Sequence, residues 1–203
     1  MAEPAVAVLA AGRGTRFGGG KLEAMCAGKP LGRWAIGAVE EAGLGRGIVV
    51  TGPEGVSFAQ GWRVLVNPVP EQGLGSSLAL AASAALDAGA PALLVLLADM
   101  PLVSADYLKT LAAAPAPAAT RQPDGRPGVP ALLDRALIEQ AATLKGDRGA
   151  GPLLAGAMML EPPAGMVRDV DTPADLIEVE QQLAAQSRHP RESGDPVGSA
   201  GNL

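Results

Sequence analysis

The residues best suited to chemistry lie near the N-terminus, in Leu9-Ala-Ala-Gly12-Arg-Gly14-Thr-Arg16-Phe-Gly18-Gly-Gly-Lys21. Glycines carry no Cβ, so backbone N–H groups there can approach a ligand closely. Arrays of such N–H groups bind phosphate oxygens. Arg13, Arg16 and Lys21 add positive charge along the same stretch. Arg grips phosphate through two donors, and Lys supplies a compact charge. The plain alternative is a flexible turn between a strand and a helix. Two familiar glycine motifs do not fit. A dinucleotide loop needs a third glycine where Phe17 stands. A Walker loop needs a glycine where Thr15 stands and a hydroxyl where Leu22 stands.

Carboxylates are the other reactive groups. Asp99 follows the most apolar run of the chain and precedes Met100-Pro101-Leu102. In an open α/β sheet, ligands bind outside the carboxyl ends of the strands. A carboxylate placed there can hold Mg²⁺, which prefers hard oxygen ligands and substrate phosphates. A turn or helix cap is the competing role. Asp169 and Asp171, in Asp169-Val-Asp171-Thr-Pro173, share a side if that stretch is extended. Asp171 and Thr172 are also good helix caps. The chain has one His, His189, and one Cys, Cys26. A His-based triad or metal site and an internal disulfide are therefore not expected, and a lone Cys suits a reducing compartment. Chemistry here has to run on carboxylates, cations, hydroxyls and backbone.

The elements that must position these groups follow from pattern. Apolar runs at 5–11, 47–51, 62–66 and 92–98 suit buried parallel strands. Helices are expected from Pro30 to near Glu41, from Ser76 to Ala88 with Ser76 or Ser77 as N-cap, and from Ser104 onward. Further helices are expected at 134–144, 149–159 and 173–186. Strands alternating with helices imply an α/β fold with a mostly parallel sheet covered on both faces. Residues 112–130 read as a Pro- and Ala-rich excursion or lid, with a turn at Pro123-Asp-Gly-Arg126. Residues 1–186 then form one domain, and 187–203 a disordered tail.

Composition narrows the partners. The 203 residues are 48% hydrophobic but only 2% aromatic, so the core rests on Ala, Val and Leu. Few aromatics disfavour stacking on single-stranded nucleic acid. A net charge of −5 disfavours nucleic acid and anionic membranes as partners. No run is long enough to span a bilayer, and no leader stands out, so a cytoplasmic protein is expected.

Leu-Ala-Ala-Gly-x-Gly-x-Arg-Phe-Gly-x-x-Lys, with Leu22 and Gly28-Lys-Pro-Leu31, resembles the signature loop of nucleotidyltransferases with a nucleotide-diphospho-sugar transferase fold. Within them it is most similar to the MobA-like family that includes molybdenum cofactor cytidylyltransferases. The resemblance spans about residues 5–186 and implies a Rossmann-like three-layer sandwich. It implies that Leu9, Ala10, Ala11, Gly12, Arg13, Gly14 and Lys21 contact a nucleoside triphosphate. It also implies that Asn67, Gly75, Ser76 and Ser77, in Asn67…Gly75-Ser-Ser77, line the nucleoside site. Simple helix capping by Ser76 is an equal alternative. Asp99 and Asp171 are the implied Mg²⁺ ligands, with Asp169 a weaker candidate. Lys21, Arg16 and Asp99 are the implied catalytic groups.

The implied reaction moves CMP from CTP to the phosphate of the molybdopterin cofactor, with a molybdoenzyme or its maturation factor as partner. Leu9-Ala-Ala-Gly12 resembles the cytidylyl-transferring members rather than those with Leu-Ala-Gly-Gly. GTP as donor, another phosphorylated acceptor, and a non-catalytic cofactor binder are the alternatives. Two departures bear on the acceptor. Val129 stands where relatives commonly carry His, and Gly151 follows Gly146-Asp-Arg-Gly-Ala150 where Arg is common. Asp147 and Arg148 read equally well as a solvated turn.

Overall fold

The structure, a computed structural model, describes residues 3–12, 14–145 and 151–188. Its strands are β1 (Ala5–Ala10), β2 (Met25–Cys26), β3 (Lys29–Pro30), β4 (Ile48–Thr51), β5 (Arg63–Val66), β6 (Ala92–Leu97), β7 (Ala118–Arg121), β8 (Pro127–Asp134) and β9 (Met158–Leu160). Its helices are α1 (Gly32–Glu41), α2 (Leu74–Asp87), α3 (Ala105–Ala113), α4 (Arg135–Ala142) and α5 (Pro173–Arg188). Seven strands form one sheet in the order β5-β4-β1-β6-β8-β7-β9, and β2 and β3 pair separately. β5, β4, β1 and β6 run parallel, as do β7 and β9. β8 runs antiparallel to both β6 and β7. The sheet is mostly parallel and the fold is α/β, as the pattern implies.

Both faces of the central strands are buried, which is why β1 and β6 are apolar throughout. Val6, Val8 and Ala10 of β1 pack into one core with Ile36 of α1, Leu108 of α3 and Val179 of α5. Ala7 and Leu9 point the other way, into a core with Leu78 of α2 and Ile138 of α4. Ala81, Ala82 and Ala85 are fully buried along α2. Small side chains there let the helix sit close to the sheet without aromatic filling.

Several expectations need correction. Residues 112–130 do not form an excursion or lid. They end α3 and supply the β7–β8 hairpin, closed by Gln122 N to Arg126 O at 2.8 Å. Prolines obscured β8, but Pro127 is its first residue and Pro130 sits at the bulge where the register with β7 shifts, both positions that strands tolerate. Pro30 does not open α1; it pairs in β3 and the helix starts at Gly32. The helix expected at 149–159 is instead a short 3₁₀ turn, Gly151–Leu154, followed by β9. Residues 149 and 150 lie outside the described residues. α2 begins at Leu74, two residues before Ser76, so Gly73 takes the N-cap position. The tail from 189 lies outside the described residues, while 187 and 188 continue α5.

β1 is the switch point of the sheet: β4 lies on one side of it and β6 on the other. A crevice opens outside the carboxyl ends of strands at such a point. The glycine-rich loop leaves β1 there, and Asp99 follows β6 there.

Gly47 precedes β4, which pairs in parallel with β1 from Ile48 onward. A Cβ at Gly47 would lie 2.1 Å from the Val6 carbonyl oxygen, a backbone atom that cannot swing aside. Gly47→Ala is expected to destabilise the fold by about 1–3 kcal/mol, as overpacking does. Urea denaturation checks it: an unchanged midpoint would refute the close approach.

Candidate active site

Lys21 is the centre of the crevice. Gly20, at φ 64, turns the chain into the 3₁₀ turn Lys21–Glu23. Gly14, at φ 55, lies against the lysine stem, and a Cβ there would meet Lys21 Cγ at 3.1 Å. The lysine is only 6% exposed. Its Nζ donates to Asp99 Oδ2 at 2.7 Å, to the Val170 carbonyl at 3.0 Å and to Asp171 Oδ1 at 3.3 Å. An ammonium has three N–H bonds, and all three are used. Burial lowers its pKa, but Asp99 and then Asp171 more than offset this and hold it above its ordinary value. The group is a cation held ready beside carboxylates.

The segment before α5 completes this centre. Val170 N donates to the Asp99 carbonyl at 3.0 Å, so the segment is tied to the end of β6. Thr172 and Asp175 form a reciprocal cap at the start of α5. The Asp175 N–H donates to Thr172 Oγ1, and Asp175 Oδ2 accepts the N–H groups of Asp171 and Thr172. This is the capping-box pattern with Asp in the glutamate position. Thr172 thus caps α5, as expected, and Asp171 is left for another role. Further along α5, Glu180 accepts the N–H of Ala27, whose φ is 47.

Arg16 reaches Asp171 Oδ2 at 3.2 Å in an exposed ion pair. Asp169 stands nearby. Loss of water around its carboxyl and then repulsion by Asp99 and Asp171 push its pKa up to about 6. The residue itself remains solvent-exposed.

Two adjoining spaces meet at Lys21. One, of about 360 Å³, is lined by Leu9, Gly12, Gly14, Ser77 and Asp99. The other, of about 460 Å³, is lined by Ala10, Gly20, Glu23 and residues Gly52 to Val56. Ala11, Gly12, Pro70 and Glu71 line both. A larger open groove of about 1080 Å³ lies away from this centre, among Arg33, Glu40, Arg46 and Phe58. The converging charges, rather than volume, single out the Lys21 crevice.

Not every candidate residue faces that crevice. The amides of Phe17, Gly18 and Gly19 bond to the carbonyls of Gly14 and Thr15, so part of the glycine loop closes on itself. Asn67 is buried beneath the wall, where its amide donates to Ser76 Oγ and Ser77 Oγ. Ser76 Oγ in turn donates to the Gly73 carbonyl. Asn67 and Ser76 therefore brace the loop from inside, and Gly75 is buried in the first turn of α2. Val129 is half-buried in β8, and Gly151 is exposed. Arg13, Asp147 and Arg148 lie outside the described residues.

Three groups escaped the sequence reading. The Val170 carbonyl has no side-chain signature. Glu71 lies in a Pro-rich loop without periodicity. Glu23 accepts both the N–H and the Oγ–H of Ser57, at 2.7 and 2.5 Å, and so ties the Lys21 turn to the loop after β4.

Asp99 Oδ1 is buried and accepts no hydrogen bond from the protein. Asp171 is half-exposed beside it, on the other side of Lys21. Among the described residues there is no group of three metal-ligating side chains. The carboxylate oxygens of Asp99 and Asp171 are hard donors of the kind that Mg²⁺ takes together with substrate phosphates.

The α5 cap generates a pH prediction. Hydrogen bonds from the Thr172 side chain and backbone hold the Asp175 pKa down at about 2, against 3.8 ordinarily. A depressed carboxylate pKa adds stability above its unfolded value and loses it as pH falls. Asp175→Asn should cost about 1 kcal/mol at neutral pH, a typical cap value. The difference from wild type should shrink as pH falls from 3.8 toward about 2. Denaturation at neutral and acid pH checks this; a pH-independent difference would contradict it.

Comparison with known proteins agrees with this fold. The MobA-like NTP transferase domain family matches residues 6–162. Purine catabolism protein PucB of Bacillus subtilis (strain 168) is 29% identical over 195 residues, covering 87% of this chain and 95% of PucB. A nucleotidyl transferase from Methanothermobacter thermautotroptrophicus superimposes with a TM-score of 0.74 at 23% identity, covering 92% of this chain and 100% of that one. Rv0371c of Mycobacterium tuberculosis H37Rv, in complex with manganese, gives 0.73 at 23% identity, covering 89% of this chain and 99% of its own. At those identities the two solved structures speak for the fold alone. Among the described residues no helix is long and apolar enough to cross a membrane. The chain belongs to the MobA-like NTP transferase domain family.

Proposed function

We propose that this chain transfers CMP from CTP to the terminal phosphate of the molybdopterin cofactor and releases pyrophosphate. The observation that carries the chemistry is the buried Lys21 ammonium, fixed between Asp99 and Asp171 under a glycine-rich loop. Gly12 and Gly14 line the crevice without side chains and so admit a triphosphate closely. Lys21 and Arg16 neutralise its phosphate oxygens. In this reading Ser77 and the backbone from Leu9 to Gly12 contact the nucleoside, with Asn67, Gly75 and Ser76 bracing that wall; Leu9, Ala11, Gly12 and Ser77 line the crevice.

An oxygen of the acceptor phosphate attacks the α-phosphorus. The bond from that phosphorus to the bridging oxygen breaks, and pyrophosphate leaves with the electron pair. The cation fixed at Lys21 Nζ stabilises the charge that grows on the phosphates. The nucleophile is already anionic, so no general base is required. Asp99 and Asp171 would hold a Mg²⁺, which supplies further charge neutralisation on the triphosphate. The similarly folded Rv0371c has been solved in complex with manganese, which is in keeping with use of a divalent ion.

A second reading keeps the chemistry and changes the acceptor or uses GTP. It is favoured by Val129 and Gly151, where relatives commonly carry other residues, and by similarity to a protein named for purine catabolism.

Thermal unfolding with CTP, GTP, UTP or ATP, each with Mg²⁺, separates these readings. A ligand that binds only the folded chain stabilises it by about 2.7 kcal/mol at a hundredfold excess over Kd. A CTP-selective shift is expected, with turnover of CTP and molybdopterin cofactor falling about a hundredfold or more in Asp99→Ala. A GTP-selective shift would replace the donor, and undiminished turnover in Asp99→Ala would remove the metal role.

A further inference from the structure

The ammonium that should receive a phosphate has no N–H to spare. Its three hydrogens go to Asp99, to the Val170 carbonyl and to Asp171. The Asp99 contact is short, at 2.7 Å, and the carbonyl belongs to a buried residue. The Asp171 contact is the longest of the three, at 3.3 Å, and comes from a half-exposed side chain. The same carboxylate also takes Arg16 through its other oxygen at 3.2 Å. One carboxylate thus bridges the two described cations of the loop, one on each oxygen, as a phosphate with two oxygens would.

We infer that Asp171 is a placeholder for the nucleotide's phosphate: its carboxylate occupies the oxyanion position between Lys21 and Arg16 and yields it when the triphosphate enters. The inference rests on the nucleotidyl-transfer reading above and adds an order of exchange to it. Asp171 keeps the two cations aligned and paired in the empty site, at the cost of competing with an incoming phosphate. Asp171, on turning to a divalent cation it would help to hold, would free one Lys21 N–H and the Arg16 guanidinium together. Nucleotide and metal then favour each other's binding through a single side chain. Linkage requires the effect to be reciprocal.

The placeholder makes a prediction opposite in sign to that of a simple metal ligand. Titration calorimetry of CTP and of GTP into the full chain is done in EDTA and again in Mg²⁺, at equal ionic strength. It compares wild type, Asp171→Asn and Asp169→Asn. Asp169 is the control for charge alone, since it stands in the same acidic mouth with no hydrogen bond to Lys21 or Arg16. In EDTA, Asp171→Asn should bind the triphosphate about fivefold or more tighter than wild type, with Asp169→Asn close to wild type. The gain from Mg²⁺ should be large in wild type and reduced in Asp171→Asn. Unchanged or weaker metal-free binding in Asp171→Asn overturns the placeholder, as does an equal gain in Asp169→Asn. If no triphosphate binds any of the three proteins even with Mg²⁺, the nucleotidyl-transfer reading falls and takes the placeholder with it. Binding with metal but no gain in Asp171→Asn sinks the placeholder alone.

Discussion

Burying one ammonium sets the terms for the rest of this molecule. A charged amine removed from water must be paired and hydrogen-bonded, or it loses its proton. Lys21 meets that demand with acceptors from two distant stretches: Asp99 beyond β6, and Val170 with Asp171 before α5. The glycine loop, the centre of the sheet and the C-terminal segment are therefore held in mutual register by a single Nζ atom. A side chain at Gly14 would press on the lysine stem, and its φ of 55 favours glycine as well.

The sheet exists, from this viewpoint, to bring the ends of β1 and β6 side by side. Leu9 of β1 pairs with Leu97 of β6, and the Ala98 N–H still reaches the Leu9 carbonyl at 3.0 Å. One residue later the ladder stops, and Asp99 stands in the crevice. On the other side, α5 is anchored by its capping box and by Glu180 on the β2–β3 turn. That anchoring keeps the Asp169 to Thr172 segment from drifting off the lysine.

Much of this was legible in sequence. Long apolar runs announced β1 and β6, and glycine with interleaved cations announced the loop. Asp99 and Asp171 stood out because each closes or opens an element. The second half was harder to read because its signals compete. Prolines in β8 suppressed a strand reading, yet Pro127 is the first residue and Pro130 falls where the pairing with β7 shifts register. Ala- and Met-rich residues near β9 have helical propensity, but pairing with β7 overrides it. Ser76 looked like a cap because propensity cannot see that Gly73 already turns the chain. The Val170 carbonyl carries no residue-type information at all, so only the fold reveals that it binds Lys21.

The central claim is that the Lys21, Asp99 and Asp171 cluster is where a nucleotide and a divalent cation meet. Crystals grown with Mn²⁺ and a non-hydrolysable CTP analogue test it most directly, through the anomalous signal of the metal. The account predicts a metal peak within ligand distance of Asp99 Oδ1 and Asp171, with a phosphate oxygen on Lys21 Nζ. A triphosphate seated elsewhere, as in the groove beside Arg33 and Arg46, or a metal peak away from both carboxylates, would contradict it.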